Sequence, residues 1–338
     1  MKRVAIIGGG AFGTAMACVV RRSGNDVVLW AREAEVVEAI NRTGENSVFL
    51  AGARMPPGIR ATGDLAAAAR DADFVLMAVP SQHMRTIAGA LRASLARGLP
   101  VVSCAKGVER GSGQLMPEVL ADMLPDAVIA VLSGPSFARE IASDLPCGVA
   151  LACREWAVGE SLARDIANPH FCVHLCDDVV GTALAGAMKN VISIASGVVH
   201  ARKLGENARA TLITLGLAET ARLGIAKGAR PETFLGLAGA GDFMLTAHSL
   251  QSRNTSLGVA LGEGRPLAEV LAERKEVTEG AFSVEAVATL ARRLRVEMPI
   301  TLALDGLLNR GLAIEAAIAD LMKHMPALCR AGHEPLAV

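Results

Sequence analysis

Short, continuously apolar runs alternate with amphipathic stretches along the first half of the chain. Residues 4–7, 26–30, 73–79, 100–104 and 127–132 are rich in Val, Ile, Leu or Met and bounded by polar or turn-forming residues. That is the pattern of strands buried on both faces. Between them, residues 11–23, 82–97 and 112–123 read as helices. Two further runs, 148–152 and 171–176, flank a helical stretch at 155–167. From residue 179 onward the strand-like runs stop and long helical patterns take over, as at 208–223 and 283–295. The expectation is an α/β domain over 1–178, a mostly parallel sheet with helices on both faces, followed by an all-α domain over 179–338. The sequence has neither an internal repeat nor a low-complexity linker, so the two halves are expected to pack around a shared cleft.

One residue interrupts the helical half. Lys189 is the only formally charged side chain between residues 179 and 201. Desolvating an ammonium is costly, so a fold that keeps one there gives it a partner or a task. The alternative is a lysine that snorkels from one helix face to water. Of 34 basic residues only seven are lysines, Lys2, Lys106, Lys189, Lys203, Lys227, Lys275 and Lys323. Arginine is the default cation of this chain, and arginine does not release a proton at physiological pH, whereas a partly buried lysine does.

Composition narrows the classes. The 338 residues are 51% hydrophobic and 20% charged, with 34 acidic side chains against the 34 basic ones. Zero net charge argues against non-specific nucleic-acid or acidic-membrane binding, which needs a basic excess, but leaves room for a local basic pocket. Seven cysteines, odd in number and without a CxxC pair, point to a reduced, cytoplasmic protein in which cysteine packs as a small hydrophobe. Residues 4–20 form an uncharged run behind Met1-Lys2-Arg3 that mimics a signal peptide. However, Gly8, Gly9, Gly10 and Gly13 break it where a signal core is helical. No other segment has the uninterrupted apolar length expected of a membrane span.

Gly8, Gly10 and Gly13 follow the first expected strand and open the first expected helix. In that setting Gly8 permits a tight turn, Gly10 lets backbone approach a pyrophosphate, and Gly13 lets helix and strand pack closely. The first domain therefore reads as Rossmann-type. Arg32, just past the second strand, suits a 2′-phosphate and favours NADP over NAD; an exposed arginine at a helix start is the alternative. Lys106 lies just past the strand at 100–104, at the carboxyl edge of the sheet where ligands bind. Residues 133–138 (SGPSFA) have the turn chemistry that presents backbone N–H groups. Residues 239–242 (GAGD) read as a flexible glycine loop carrying a carboxylate. Ser252, Arg253 and Asn254 open a helix that Ser252 can cap, which is a good seat for a phosphate. Taken singly, each of these is more often structural than functional.

Together they resemble a known family. The matching words are GGGAFGTA (8–15), AKG (105–107), SGPSFARE (133–140), AMKNV (187–191), NARATLITLGLAE (207–219), AGAGD (238–242), QSRN (251–254) and VTEG (277–280). In this order and spacing they resemble the NAD(P)-dependent glycerol-3-phosphate dehydrogenases of bacteria over nearly the whole chain, thinning after about residue 305. The resemblance implies that Lys189 is the catalytic lysine, with Asp242 its carboxylate partner, and that Lys106 touches both cofactor and substrate. It implies substrate contacts at Gly134 and Ser136, and a substrate-phosphate site at Ser252, Arg253 and Asn254. Cofactor contacts are implied at Ala11, Phe12, Arg32, Ala138, Arg253, Val277 and Glu279, beside the three glycines. The implied reaction is reversible reduction of dihydroxyacetone phosphate to sn-glycerol 3-phosphate, supplying the glycerophospholipid backbone. Lys189 would protonate the developing alkoxide and Lys106 would help stabilise the oxyanion. Burial lowers the pKa of Lys189 and Asp242 raises it, so the sequence leaves the net shift unsigned. Two positions depart from the family pattern: Ala11 stands where a hydroxyl is common, and Leu215 where arginine is frequent.

Other readings compete. Cys172, His174 and Cys176 alternate along one expected strand and would share a face, but such neighbours converge poorly on one ion, so no metal is expected. A reductase of 3-hydroxy acids or of 6-phosphogluconate would share the cofactor domain and a lysine in a helical domain. Ser252, Arg253 and Asn254 together with Asp242 favour a small phosphorylated ketone. A non-catalytic redox sensor would keep the glycines without needing Lys189, Asp242 and Lys106 together. The expected partner is thus a small phosphorylated substrate, with no nucleic acid and no stable membrane insertion, and the helical domain offers a face for a homodimer.

Overall fold

The computed structural model describes residues 1–274 and 277–331, with side chains to Lys323; Lys275 and the side chain of Cys329, both counted above, lie outside the described residues. Eight strands form one sheet: β1 (Arg3–Ile7), β2 (Asp26–Trp30), β3 (Ile59–Thr62), β4 (Phe74–Met77), β5 (Pro100–Ser103), β6 (Val128–Ser133), β7 (Cys147–Cys153) and β8 (Phe171–Cys176). Their order is β3-β2-β1-β4-β5-β6-β7-β8, and every neighbouring pair is parallel except the antiparallel β6–β7. The first six follow the doubly wound order, in which connections leave β1 in opposite directions. The crevice beyond the carboxyl ends of β1 and β4 is therefore the expected ligand position.

Seven helices belong to this half: α1 (Ala11–Arg22), α2 (Ala34–Thr43), α3 (Leu65–Ala69), α4 (Met84–Leu91), α5 (Met116–Met123), α6 (Ala138–Ala142) and α7 (Trp156–Ile166). Alternate residues of one strand feed different cores. Val4 and Ile6 of β1 pack with Met16 and Val20 of α1, while Ala5 and Ile7 pack on the other face with Ala88 of α4 and Val119 of α5. A strand apolar on both faces gives the unbroken run seen in the sequence.

The helical half comprises α8 (Val179–Ala201), α9 (Glu206–Ala226), α10 (Asp242–His248), α11 (Arg253–Gly262), α12 (Leu267–Ala272), α13 (Glu279–Leu294), α14 (Pro299–Asn309) and α15 (Ile314–Ala331). At its centre lies α8, capped by Asp178, whose carboxylate accepts the Gly181 N–H at 2.8 Å. By length and mean hydropathy α8 qualifies as a membrane span, yet 83% of its apolar window is buried inside the protein. It crosses α11 backbone to backbone. A Cβ on Gly258 would lie 1.9 Å from the Ile194 carbonyl oxygen, and one on Gly197 would lie 2.1 Å from that of Thr255.

Several expectations change. β3 has no apolar run and was not expected. The helix expected at 82–97 is broken: a 3-10 turn at Ser81–His83 leads into α4, and a second at Arg92–Ser94 ends it. The helix expected from residue 112 begins at Met116, because Gly111 and Gly113 take positive φ and Pro117 sits in the first turn. Residues 239–242 are not a flexible loop. A π-helical turn at Leu237–Gly241 runs directly into α10, and Gly239 is pressed so tightly on Phe234 that a Cβ would lie 2.1 Å from its carbonyl oxygen. Cys18, Cys104 and Cys153 are buried as expected, whereas Cys172 is exposed because β8 is an edge strand.

Candidate active site

The glycine turn after β1 is built for close approach. Gly8 has φ +126°, and a Cβ there would lie 2.7 Å from the carbonyl of Ala78, just past β4. A Cβ on Gly13 would lie 1.9 Å from the Gly8 oxygen, so α1 is drawn hard onto the turn. Gly10 caps α1 and faces open space, with no acidic residue in the first helical turn. The N–H groups of Ala11, Phe12 and Gly13 have no partner within the helix, which makes this end an anion seat of pyrophosphate size. The residues present therefore fit a dinucleotide. Buried Asn46 braces the turn from behind, donating to Gly9 O and Thr14 Oγ1, both at 2.8 Å. Ala138 opens α6, which packs against α1. Arg32, beyond β2, is well exposed and donates from Nε (3.1 Å) and Nη2 (2.8 Å) to the Glu33 carboxylate.

Deeper in the crevice, a buried carboxylate holds two ammonium groups. Asp242 is fully buried at the start of α10. Its Oδ2 lies 2.6 Å from Lys106 Nζ, and its Oδ1 lies 3.1 Å from Lys189 Nζ. Thr246, one turn further along α10, accepts from Lys189 Nζ at 2.9 Å and donates to Asp242 Oδ1 at 3.0 Å. Lys106 Nζ also donates to Gly134 O at 2.8 Å and Ser136 Oγ at 3.3 Å. An ammonium has three N–H donors. All three of Lys106 are matched by acceptors, whereas Lys189 has two acceptors among the described residues, Thr246 and Asp242.

Burial pushes the Lys189 pKa down to about 8, against the attraction of Asp242, and the charges of Lys106 and Arg253 push the same way. Burial acts to raise the pKa of Asp242, but Lys106 and Lys189 outweigh it and hold the carboxyl below its ordinary value. The sign that the sequence left open is thus downward for the lysine.

The amino end of α11 borders this cluster. Ser252 caps it as expected, its Oγ accepting the Thr255 N–H at 3.3 Å, and Arg253 Nη1 donates to Val277 O at 3.1 Å. Asn254 is buried and ties elements together. Its Nδ2 donates to Asn190 Oδ1 at 2.9 Å, its Oδ1 accepts the Gly280 N–H at 3.0 Å, and Asn190 in turn donates to Lys106 O at 3.0 Å. Glu279, at the start of α13, accepts from the Ser81 N–H at 3.0 Å and from the Ser81 hydroxyl; burial raises its pKa.

The fold thus gathers Lys189, Asp242, Lys106, Gly134 and Ser136 into one cluster, joins Asn254 to it through Asn190, and brings Glu279 to the end of β4 through Ser81. Arg32 stands apart at the end of β2. Sequence reading missed Asn46, Ser81 and Thr246. Thr246 would have followed from its four-residue spacing to Asp242 had α10 been recognised as a helix. Among the described residues no group of three His, Cys, Asp or Glu side chains is placed to hold a metal ion.

A doubly wound sheet with a glycine-cradled anion seat, facing a buried lysine–carboxylate–lysine cluster in a helical half, defines the architecture of a nicotinamide-dinucleotide dehydrogenase. The profile described as NAD-dependent glycerol-3-phosphate dehydrogenase N-terminus matches residues 3–159, and the one described as the C-terminus matches residues 178–319. The chain belongs to the NAD-dependent glycerol-3-phosphate dehydrogenase family. It is 50% identical over 331 residues to glycerol-3-phosphate dehydrogenase (NAD(P)+) of Rhodospirillum rubrum, covering 98% of this chain and 95% of that one. It is also 50% identical over 321 residues to the enzyme of the same name from Caulobacter vibrioides, covering 95% and 97%. The crystal structure of glycerol-3-phosphate dehydrogenase from Coxiella burnetii superposes with a TM-score of 0.91 at 35% identity, covering 95% of this chain and 99% of that one. A ketopantoate reductase from Ralstonia eutropha, at 20% identity and a TM-score of 0.63, shares the fold alone.

Proposed function

We propose that this chain catalyses the reversible reduction of dihydroxyacetone phosphate to sn-glycerol 3-phosphate with NADPH or NADH, and that Lys189 is its proton donor. The observation that carries the assignment of Lys189 is the division of labour around Asp242. Both ammonium groups are held by that carboxylate, but among the described residues Lys106 has an acceptor for each of its three donors while Lys189 has two acceptors. The remaining Lys189 N–H is the proton available to a substrate oxygen.

The nicotinamide cofactor, when bound, supplies the hydride. Lys189 donates its proton at the developing alkoxide oxygen, and in the oxidative direction its neutral amine takes that proton back. A pKa near 8 keeps both forms accessible at neutral pH. Lys106 holds Asp242 and the turn at Gly134 and Ser136 in place, and its charge stabilises the oxyanion. Arg253, with Ser252 and Asn254 at the amino end of α11, holds the substrate phosphate, whose binding energy positions the ketone. Gly8, Gly10, Ala11, Phe12 and Gly13 take the pyrophosphate; Arg32 takes a 2′-phosphate; Lys106, Ala138, Arg253, Val277 and Glu279 complete the cofactor contacts. The division into domains 1–178 and 179–338, a cytoplasmic location and a role supplying the glycerophospholipid backbone belong to the same reading. So does a homodimer through the helical half, where Leu235 and Met244 are among several exposed apolar side chains of the described residues.

The direct test is loss of NADPH or NADH absorbance when the purified protein meets dihydroxyacetone phosphate. Turnover with either cofactor supports the assignment. Cofactor binding without turnover on this ketone would leave the dinucleotide site standing and remove the substrate assignment.

A further inference from the structure

We propose that Arg209 is a positioning residue for proton transfer, anchoring the carboxyl end of α10, the short helix that carries both Asp242 and Thr246. The inference rests on the reading of Lys189 as proton donor. Arg209 lies on α9 and is only 6% exposed. Its Nη2 donates to the Ala247 carbonyl at 2.6 Å, and its Nε donates to Ser196 Oγ at 3.0 Å. Ser196 Oγ donates in turn to the same Ala247 carbonyl at 2.7 Å. Glu206 stands 3.7 Å from Nη1, but its side chain is 75% exposed and screened by water. A buried guanidinium is costly unless it is matched by negative charge or well-placed acceptors. Here one acceptor is the Ala247 carbonyl in the last turn of a helix, where the helix dipole is negative.

The position of α10 is what Arg209 controls. Seven residues make too short a helix to hold its shape unaided, so it must be fixed at both ends. The amino end is fixed by Gly239 against Phe234. At the carboxyl end Thr255 Oγ1 donates to Thr246 O at 2.8 Å, and Ser196 and Arg209 share Ala247 O. Lys189 and Ser196 are two turns apart on one face of α8. The seam between α8 and α10 therefore carries the Lys189–Asp242–Thr246 contact at one end and the Arg209 anchor at the other. Proton transfer tolerates little misplacement, so slack at the anchor reaches the reacting groups.

The experiment measures kcat, both KM values, the pH profile of kcat and Tm for Arg209→Met, Arg209→Lys and Ser196→Ala in the full chain. Arg209→Met is expected to lose about tenfold or more in kcat while KM for NADPH stays within about twofold. The high-pH limb of the reduction rate should move to lower pH, as Asp242 loosens its hold on Lys189. Lys106, Arg253, Cys147 and the exposed His248 also face the cluster or its helix, and all four are left intact. Arg209→Lys, which keeps a donor for Ala247 O, should restore most of kcat and the limb. Ser196→Ala should move both in the same direction by less, and it carries the test with Arg209→Lys if the Met variant does not fold. Full kcat and an unmoved limb in Ser196→Ala and in whichever Arg209 variants fold, even with lowered Tm, would reduce Arg209 to a stabilising contact and overturn the proposal. Lys189→Ala, run in parallel, separates the two claims: near-normal turnover there defeats the proton-donor reading whatever the Arg209 variants do.

Discussion

At the scale of single residues, the site turns on how one carboxylate serves two lysines. Asp242 binds each ammonium through a different oxygen, so neither lysine displaces the other. Lys189→Ala is expected to lower kcat by roughly 10²-fold or more with little change in KM for the nicotinamide cofactor, measured in steady state. Arg253→Ala should chiefly raise KM for the phosphorylated substrate, and an unchanged KM would move the anion seat elsewhere. Lys189 was legible in the sequence because a lone charge in a long apolar run demands an explanation. Thr246 was not. Nothing marks a threonine as special until the helix that brings it back to Asp242 is known, and the glycines before Asp242 read as a loop. Arg209 was hidden for a similar reason, since an arginine on a helix reads as a solvated face until tertiary packing buries it.

At the scale of elements, α14 is started by a side chain from another helix. Glu219 of α9 is fully buried and accepts from the N–H of Ile300 (2.6 Å), the N–H of Thr301 (3.3 Å) and the Thr301 hydroxyl (3.1 Å). Burial nevertheless raises its pKa to about 7. A carboxyl whose folded pKa lies above its unfolded value binds its proton more tightly when folded. Its contribution to stability is present below the ordinary value of 4.5 and is lost as pH rises through about 7. Glu219→Gln should therefore flatten the fall in Tm across that window, by thermal denaturation at several pH values; an unaltered slope would assign the titration to another group. The crossing of α8 and α11 makes a second demand. Gly258→Ala places a Cβ against the Ile194 carbonyl and should destabilise the fold by about 1–3 kcal/mol or more in denaturant unfolding.

Elements were legible where the physics is local. β1, β2 and β8 fall where their apolar runs put them, and α7 fits the expected helix with Glu155 and Ala167 as its caps. Where tertiary partners decide, the sequence was silent. β3 carries Arg60 and pairs at the edge beside β2, so it needs no apolar run to form. α10 exists because its carboxyl end is capped from α8, α9 and α11. The reversal of β7 against β6 follows from the short α6 connection, which has no counterpart in periodicity.

At the scale of the whole molecule, the two halves meet through side chains that also border the site. Asn190 on α8 holds the carbonyl of Lys106 beyond β5, and Glu279 on α13 grips Ser81 beyond β4. The buried lysine–carboxylate cluster and the glycine-lined crevice are thereby set in one frame, which a sequence can suggest only by listing the residues from both sides. Cofactor choice is the outlying part. Arg32 is exposed and already paired with Glu33, so on the proposed reading binding a 2′-phosphate would exchange one anion for another. Arg32→Ala should lower kcat/KM with NADPH while leaving that with NADH nearly unchanged. Equal losses with both would exclude Arg32 from choosing between them.

The measurement that bears most directly on the account is the pH dependence of kcat in both directions. With Lys189 as the proton donor and its pKa near 8, reduction should decline as pH rises through about 8. Oxidation of sn-glycerol 3-phosphate should climb over the same interval, and both limbs should vanish in Lys189→Ala. Profiles that stay flat through that interval in both directions, or limbs that survive the loss of Lys189, would contradict it.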